Sequence, residues 1–421
     1  MSEWSNWSGS VLAKPSAISR PKTMAELSSV VAAARKVRVV GAGHSFMPLC
    51  ETDDVLISLA DMDGEVEVNA DRTRASAPAG MSLKQLTKIL WDKGASLANQ
   101  GDVNPQSLAG ATSTGTHGTG ASLGSLSTLP RAFELIMHDG SVVRCSETEN
   151  PDLFQAQRLS VGLLGVAARI EFDILPAYHL EERLETVRLG ELAERWPDLA
   201  AQNRHAEFFI FPYCDVAMLK VLHPKESEGE MPYTTDFDEK PFRRLCDICA
   251  AAPFLTRFLQ SKAIQAGTKK RRVGPAYQIF PSERTIRFEE MEYELPRENG
   301  WPALREVIAH VQRNKLPVTF PLEFRLVAAD DIWLSPFNGR DGASISFHQY
   351  AKMKWREIFL DVEKIFRSFD GRPHWAKRHT MTNTDLHALY PMAERFCAER
   401  AKADPVGKFA NAHLADLFDI H

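Results

Sequence analysis

Two glycine-rich segments, each carrying a histidine, have the residue types and spacing in this chain that most directly suggest chemistry. The first, VRVVGAGHSF, places Gly41 and Gly43 after a β-branched run and His44 directly behind the second glycine. The second, SLAGATSTGTHGTGASLG at residues 107–124, alternates glycine with Ser and Thr around His117. Small residues let backbone N–H groups converge on an anion, and hydroxyl groups add donors. Together the two segments predict a site for a large phosphorylated cofactor.

The first segment does not continue as a dinucleotide-binding helix. A Rossmann fingerprint requires a helix that begins at the glycines. The residues that follow, HSFMPLCETDD, have no helical period and include Pro48. The sequence therefore argues against a nicotinamide-dependent dehydrogenase.

A third candidate is the acid–base pair in LEFRL. Glu323 and Arg325 are two residues apart, and on a strand that spacing puts both side chains on one face. There they can hold each other ionised and together bind a hydroxyl or ring oxygen. Taken alone, the same pattern also fits an ordinary surface ion pair on a strand.

The elements that must position these residues predict an α+β chain in two parts. The first 175 or so residues combine a capped helix from Ser82 to Lys93 with hairpins such as FELIMHDGSVVRC. A second set of strands begins at about residue 178, and its alternation of apolar and polar residues predicts a sheet with one face exposed to water. Amphipathic helices near 302–315 and 353–368 should cover the other face. A polar linker at 223–240 and a helical block at 241–266 lie between the strands.

Composition bounds the class of protein. The chain has 421 residues and a net charge of −5 with interspersed signs, so we expect no nucleic-acid partner. No apolar run is long enough for a membrane span and no secretory signal is visible, which predicts a cytoplasmic protein. Six cysteines predict no disulfide framework, and Cys246 and Cys249 fit two buried thiols on a helix, with no metal site.

Four segments resemble those of one family. VVGAGHSF, NQGDVNPQSLAGATSTGTHGTG, LEFRLVAADDIWLSP and RPHWAK are similar, in this order, to FAD-binding proteins of the vanillyl-alcohol-oxidase type (VAO/PCMH type). Within that type they resemble the aldonolactone and alditol oxidase branch, over nearly the whole chain. The resemblance implies an FAD-binding domain at 1–177, an antiparallel-sheet cap domain for the substrate at 178–371, and a C-terminal segment at 372–421 that returns to the FAD domain.

The resemblance also implies roles for individual residues. His44 corresponds to the histidine bonded covalently to the flavin 8α-methyl group, which prevents flavin loss and generally raises its reduction potential. Glu323 and Arg325 correspond to a catalytic pair over the flavin. Lys377 corresponds to a catalytic lysine near flavin N1 and C2=O, which stabilises the anion formed as hydride arrives; Ala376 stands where the family usually has glycine. The implied cofactor-binding residues are Gly41, Ala42, Gly43, His44, Ser45, Phe46, Gly101, Ser107, Gly110, Thr114, Gly115, Thr116, His117, Gly118, Val166 and His374.

The implied reaction is hydride transfer from the CH–OH group of a sugar lactone, of the L-gulono-, L-galactono- or D-arabinono-1,4-lactone type, to flavin N5. Asp102 and His348 are the candidate substrate contacts. Asp102 stands where the alditol branch tends to have serine, so an alditol such as xylitol or sorbitol is the second choice. Gly101 stands where alanine tends to block oxygen, which implies O2 as acceptor and H2O2 as product. A dehydrogenase with another acceptor, a flavin-binding protein without turnover and an enolpyruvyl reductase remain alternatives.

Overall fold

The computed structural model describes residues 3–225, 239–263, 269–282 and 284–421. Most of the predicted polar linker, and the end of the predicted helical block, lie outside these ranges. The strands are β1 Trp4–Ser5, β2 Leu12–Ala13, β3 Ala17–Ser19, β4 Val37–Val40, β5 Val55–Ser58, β6 Glu67–Val68, β7 Arg74–Pro78, β8 Ala95–Ser96, β9 Pro130–Ile136, β10 Val142–Ser146, β11 Val166–Asp173, β12 Leu175–Pro176, β13 His179–Arg188, β14 His205–Ile210, β15 Val216–Lys225, β16 Lys269–Pro275, β17 Phe288–Pro296, β18 Leu322–Val327, β19 Gly342–Tyr350 and β20 Arg372–Pro373. The helices are α1 Met24–Ala33, α2 Leu83–Asp92, α3 Leu108–Ser113, α4 Pro151–Gln157, α5 Leu189–Gln202, α6 Glu239–Ala251, α7 Thr256–Ala263, α8 Ala276–Ile279, α9 Gly300–Arg313, α10 Arg356–Ser368, α11 Asn383–Leu389, α12 Ala393–Ala403 and α13 Ala412–Phe418.

The N-terminal part is built on two small sheets. Strands β3, β5 and β4 form a parallel sheet, and β10, β9, β11, β7 and β6 form an antiparallel sheet in that order. Local signals act as predicted: the Ser82 side chain caps α2, and Gly94 and Gly140 adopt φ values of +73° and +86° where the helix ends and the β9–β10 hairpin turns. As predicted, β4 leads into a loop rather than a helix.

The C-terminal segment packs on this first part. The backbone N–H of Val37 donates to the carbonyl of Lys408 at 2.9 Å, and Phe396 and Leu414 share a hydrophobic core with Leu86 and Phe133. These contacts agree with a segment that returns to the first domain. The exact boundaries at 177/178 and 371/372 stay a prediction.

The middle of the chain forms one antiparallel sheet of eight strands in the order β16-β13-β15-β14-β18-β19-β17-β20. Helices α9 and α10 cover one face, where Val307 and Val362 pack against Phe324 and Phe347. This is the predicted antiparallel α+β arrangement, with the two helices close to their predicted bounds. The predicted helical block is interrupted, because α6 ends at Ala251 and a 3₁₀ turn at Pro253–Leu255 precedes α7.

The prediction that one face of this sheet is exposed to water is wrong. All residues of β18 and β19, and all but the last of β17, are buried. The polar side chains of these strands face the glycine-rich loops and the segment after β20 instead of water. Alternation in the sequence therefore marked a buried polar face, and it is this face that contains the candidate site.

Two further findings concern the surface and the thiols. Within the described residues, no helix is long and apolar enough to cross a bilayer. Cys246 and Cys249 are buried free thiols on α6, as predicted.

Candidate active site

The two glycine-rich loops meet in space. A Cβ placed on Gly41 would lie 2.4 Å from Oγ of Ser107, so only glycine allows this approach. Gly43 adopts φ +68°, a left-handed conformation that favours glycine, and Gly41 and Ala42 are exposed. The result is a main-chain cradle that a side chain would fill, which fits the predicted binding of a large phosphorylated cofactor.

His44 presents an uncharged ring beside this cradle. Its imidazole stacks on Trp7 with ring centroids 5.1 Å apart. Burial, with a smaller contribution from the nearby Lys377 cation, lowers the pKa of His44 to about 4. At neutral pH the ring therefore keeps a free nitrogen lone pair, as a nucleophile toward the flavin 8α-methyl group requires.

The first loop is joined to the RPHWAK segment. The N–H of Phe46 donates to the carbonyl of Ala376 at 2.7 Å, and the Ser45 hydroxyl donates to the same carbonyl at 3.3 Å. Lys377 follows, with Nζ 5.3 Å from the centre of the Phe46 ring. Its ammonium group contacts the Glu290 carboxylate directly. The methyl group of Ala376 does not keep Lys377 from the site.

His117 and His374 lie side by side, with ring centroids 5.8 Å apart, in opposite charge states. Nδ1 of His117 lies 2.8 Å from the carbonyl oxygen of Gly118, which can only accept. Nε2 of His117 lies 3.0 Å from Glu292 and 3.3 Å from Glu294. Burial alone would lower the pKa of His117, but these carboxylates raise it to about 10. His117 is thus an imidazolium, whereas burial lowers the pKa of His374 to about 3 and keeps it neutral.

The second loop is held by its own polar side chains. Oγ of Ser107 accepts from the N–H of Gly110 at 3.2 Å, and Oγ1 of Thr114 donates to the carbonyl of Gly110 at 2.9 Å. Thr116 accepts from Gln106 at 3.1 Å. The loop also uses two glycines: Gly115 has φ +76°, and a Cβ on Gly118 would lie 2.2 Å from the carbonyl oxygen of Gln100.

Val166 stands apart from the other predicted cofactor contacts. It lies at the start of β11 and its side chain is buried in a hydrophobic cluster with Ile136, Ala168 and Val37. The structure therefore does not bring the Val166 side chain to the glycine-rich loops, and only its main chain remains available for a cofactor.

Glu323 and Arg325 form a buried pair on β18, not a surface ion pair. Their side chains are 5% and 11% exposed, and Arg325 Nε lies 3.1 Å from Glu323 Oε1. Arg325 also reaches Ser346 on β19 at 3.3 Å and Glu292 on β17 at 3.6 Å. Burial opposes its charge, but Glu323 and Glu292 more than offset burial and raise the pKa of Arg325 further. The guanidinium is therefore a fixed cation in the middle of the polar face.

The two predicted substrate contacts also lie on this face or at its edge. His348 on β19 has Nδ1 3.1 Å from the carbonyl of Pro321 and Nε2 3.3 Å from Glu290. Asp102 has Lys220 at 3.4 Å and Arg284 at 3.0 Å. Burial would raise the pKa of Asp102, but these cations lower it to about 2, so it stays ionised.

Sequence reasoning missed several residues of the face. Glu290, Glu292 and Glu294 alternate along β17, and all three are buried. Their signal is the pattern E-x-E-x-E, which predicts a strand with one face exposed to water. Beyond β18, Glu207 on β14 and Lys220 on β15 extend the same row of charges.

Two groups in the site have ligand atoms close enough to share a metal ion. The atoms of His117, Glu292 and Glu294 lie within 4.8 Å of one another, and a second such group is Asp102, Glu207 and Glu323. In the first group, the imidazole ring of His117 already carries a proton on each nitrogen. In the second group, the cations Lys220 and Arg325 balance the negative charge of the carboxylates. Chemically, the site joins an uncharged nucleophilic ring at the cradle to a buried face of fixed cations and carboxylates.

Solved structures show the same fold. The chain superposes on a solvent-stable cholesterol oxidase with a TM-score of 0.83, covering 99% of this chain and 97% of the other at 17% sequence identity. That identity supports the VAO/PCMH-type architecture and nothing finer. The predicted fold class, a two-domain α+β flavoprotein with an antiparallel-sheet cap, is thereby confirmed.

Sequence relatives give the family. Residues 15–146 match the FAD binding domain family and residues 170–417 match the D-arabinono-1,4-lactone oxidase family. The chain is 38% identical to L-gulono-1,4-lactone dehydrogenase of Mycobacterium tuberculosis, with 97% of each chain covered. It is 31% identical to L-gulonolactone oxidase of Bos taurus, covering 99% and 98%, and 31% identical to alditol oxidase of a Streptomyces species, covering 98% of each. The chain belongs to the D-arabinono-1,4-lactone oxidase family, within the aldonolactone branch of the VAO type, and is an FAD-dependent oxidoreductase.

Proposed function

We propose that this protein oxidises a CH–OH group of a sugar 1,4-lactone of the L-gulono-, L-galactono- or D-arabinono- type, with FAD attached covalently through His44. The observation that carries the proposal is the buried Glu323–Arg325 pair, whose arginine contacts the same carboxylate, Glu292, as Lys377 and His117 do. The lactone-oxidising relatives support the choice of substrate class. A protein that bound flavin without turnover would have no use for this cluster.

The buried polar face of the eight-stranded sheet, called the cap face below, binds and orients the alcohol. Oε1 of Glu323 is buried and accepts no aligned hydrogen bond, so a substrate hydroxyl can donate there and lose its proton to the carboxylate. Arg325 donates to a neighbouring hydroxyl or ring oxygen and fixes the ring. FAD, when bound, supplies the acceptor for the hydride. Lys377 and His117 are cations that would stabilise the negative charge developing on the acceptor as it receives the hydride.

Covalent attachment is supported by the state of His44. A lone pair that is neither protonated at neutral pH nor hydrogen-bonded within the described residues is available to bond carbon. Trp7 fixes the plane of the ring by stacking. We therefore assign the attachment to His44 and not to His117, whose two nitrogens both hold protons.

Oxygen is the proposed electron acceptor, with H2O2 as product. Gly101 has no side chain, and a Cβ there would lie 3.1 Å from the carbonyl oxygen of His117 and 3.6 Å from Thr116. The lack of a Cβ removes one obstacle to a small apolar gas where the Gly101 segment passes the second glycine-rich loop. A dehydrogenase that uses another acceptor is the second candidate, because the 38% identical relative is named a dehydrogenase. A cytoplasmic location stays a prediction.

Anaerobic mixing with a substrate panel tests the substrate class. The panel contains the three lactones together with xylitol and sorbitol, and the visible flavin absorbance reports reduction. We expect bleaching by at least one lactone at a far lower concentration than by either alditol. Bleaching by the alditols alone would make the protein an alditol oxidase. Reoxidation by oxygenated buffer, compared with a dye acceptor, then distinguishes oxidase from dehydrogenase.

A further inference from the structure

Three charged side chains form a straight row across neighbouring strands of the cap sheet. Glu207 on β14 lies directly opposite Lys220 on β15 and directly opposite Arg325 on β18. All three residues are buried, with exposures of 3%, 9% and 9%. Below, this set is called the 220–207–325 row.

The row lies on the face that carries the candidate active site. At one end, Arg325 pairs with Glu323 and reaches Glu292. At the other end, Nζ of Lys220 lies 3.4 Å from Asp102, the residue after Gly101 in the loop of the FAD-binding part. A molecule held by Arg325 can therefore extend along the row toward Lys220.

The charged groups of the row are paired by ionic contacts that are not aligned hydrogen bonds. Lys220 Nζ is 2.8 Å from Oε1 of Glu207, and Arg325 Nε is 3.1 Å from Oε1 of Glu323. Each of these carboxylate oxygens therefore keeps a lone pair that a substrate hydroxyl can use. Burial also raises the pKa of Glu207 to about 7, so this carboxyl can accept or donate toward a hydroxyl near neutral pH.

We propose that Glu207 and Lys220 form a second substrate subsite, which binds the hydroxyl groups on the exocyclic carbons of the lactone. The proposal rests on the proposed function, whose lactone ring occupies the Arg325 end. From β18 to β15 is two strand spacings, about 10 Å, which suits a six-carbon skeleton. A six-carbon 1,4-lactone carries two exocyclic hydroxyls and a five-carbon one carries a single hydroxyl. Glu207, nearer Arg325, binds the C5 hydroxyl that both kinds of lactone have, and Lys220 binds the C6 hydroxyl that only six-carbon lactones have.

Two variants and a matched control test the subsite. Lys220→Met removes the terminal contact, and Glu207→Gln keeps the shape of the side chain but not its charge. Glu289→Gln is the control, because Glu289 is equally buried on β17 and pairs with Arg378 at 2.8 Å outside the row. Each variant is first checked for folding by circular dichroism and for flavin content. KM and kcat are then measured with L-gulono- and D-arabinono-1,4-lactone and a dye acceptor.

The expected results differ between the two lactones. Lys220→Met lowers the preference in kcat/KM for the six-carbon over the five-carbon lactone by about tenfold or more, as loss of a charged hydrogen bond should. Glu207→Gln raises KM for both lactones by about tenfold with kcat within twofold, and its result stands alone if Lys220→Met does not fold. The control, Glu289→Gln, changes neither the preference for the six-carbon lactone nor the KM for either lactone.

An unchanged preference in a folded Lys220→Met variant would overturn the proposal. So would an unchanged KM in Glu207→Gln, or a loss confined to kcat, which would place Glu207 in the chemical step and not in binding. If neither lactone reduces the flavin of the wild-type protein, it is the proposed function that fails, and the subsite fails with it. If the wild-type protein oxidises both lactones and the folded variants keep its KM values and its preference for the six-carbon lactone, the subsite alone is refuted.

Discussion

The cofactor cradle and the cap face have different functions, and the first is built from main chain whereas the second is built from side chains. The cradle is made of main chain, with Gly41 at a point where an added Cβ would lie 2.4 Å from Oγ of Ser107, and with an uncharged His44 beside it. The cap face is made of side chains that five different strands bring together, almost all charged and buried. Holding a large cofactor needs close approach of the backbone, whereas orienting an alcohol needs fixed charges.

The comparison separates what each region should do when it is damaged. Changes in and near the cradle should alter how the flavin is held and which electron acceptor reoxidises it. Changes on the cap face should alter how fast the substrate delivers its hydride, with the flavin still in place. The following predictions test that division, beginning with the largest effect.

His44→Ala should abolish covalent flavin while leaving the fold intact. The reason is that His44 is the histidine beside the cradle and that its ring is uncharged at neutral pH. Acid precipitation of the purified variant should leave the pellet colourless and the supernatant yellow. A yellow pellet would move the attachment elsewhere, with His117 as the next residue to change.

Lys377→Ala should slow flavin reduction by roughly 10²-fold with little change in substrate affinity, because one positioned cation is worth about 2.7–4 kcal/mol in such a site. The carboxylate of Glu290 touches this ammonium group and offsets part of its charge, which places the effect at the lower end. Stopped-flow reduction under anaerobic conditions gives the rate. A rate within a factor of two of wild type would remove Lys377 from the catalytic set.

Gly101→Ala should slow reoxidation of the reduced enzyme by oxygen about tenfold or more, equivalent to about 1.4 kcal/mol of barrier. The added Cβ would stand 3.1 Å from the His117 carbonyl oxygen and obstruct the approach past the second glycine-rich loop. Rapid mixing of reduced enzyme with oxygenated buffer measures the rate, and a dye acceptor serves as control. Slow reoxidation in wild type that is no slower in the variant would favour a dehydrogenase.

The smallest predicted effect is that of pH on flavin attachment. Because burial and the Lys377 cation lower the pKa of His44 to about 4, the ring remains neutral as pH falls from 7.5 to about 5.5. The initial rate of covalent incorporation into apoprotein should then change by less than about twofold, whereas a histidine of pKa about 6.5 would be roughly 90% protonated at the lower pH. A tenfold slower attachment at pH 5.5 would show that His44 titrates like an exposed imidazole.

The cradle could be predicted from sequence because its signals are local. GAGHSF and GATSTGTHG each lie within one loop, and glycine spacing states directly where the backbone must come close. Helix α2 could be predicted for the same reason, since Ser82 and Gly94 mark its ends.

The cap face could not be predicted to the same depth, because strand register assembles it. Glu207 and Arg325 are far apart in the chain and meet through the pairing of β14 with β18, while Lys220 joins them through β15 and Asp102 reaches Lys220 from a distant loop. The glutamates of β17 were misjudged for a related reason. Alternation in hydropathy reports polarity, and a face turned toward a polar site has the same pattern as one turned toward water.

The most direct test of this division is the anaerobic rate of flavin reduction by L-gulono-1,4-lactone in Arg325→Ala, in a preparation whose covalent flavin content equals that of wild type. Arg378→Ala, which removes a partly buried arginine paired with Glu289 outside the site, is the matched control. The structure predicts a rate lowered by roughly 10²–10³-fold in Arg325→Ala, with the control close to wild type and the flavin still bound in both. A rate within a factor of two of wild type in Arg325→Ala would contradict the assignment of the buried cap face to the oxidation of the lactone.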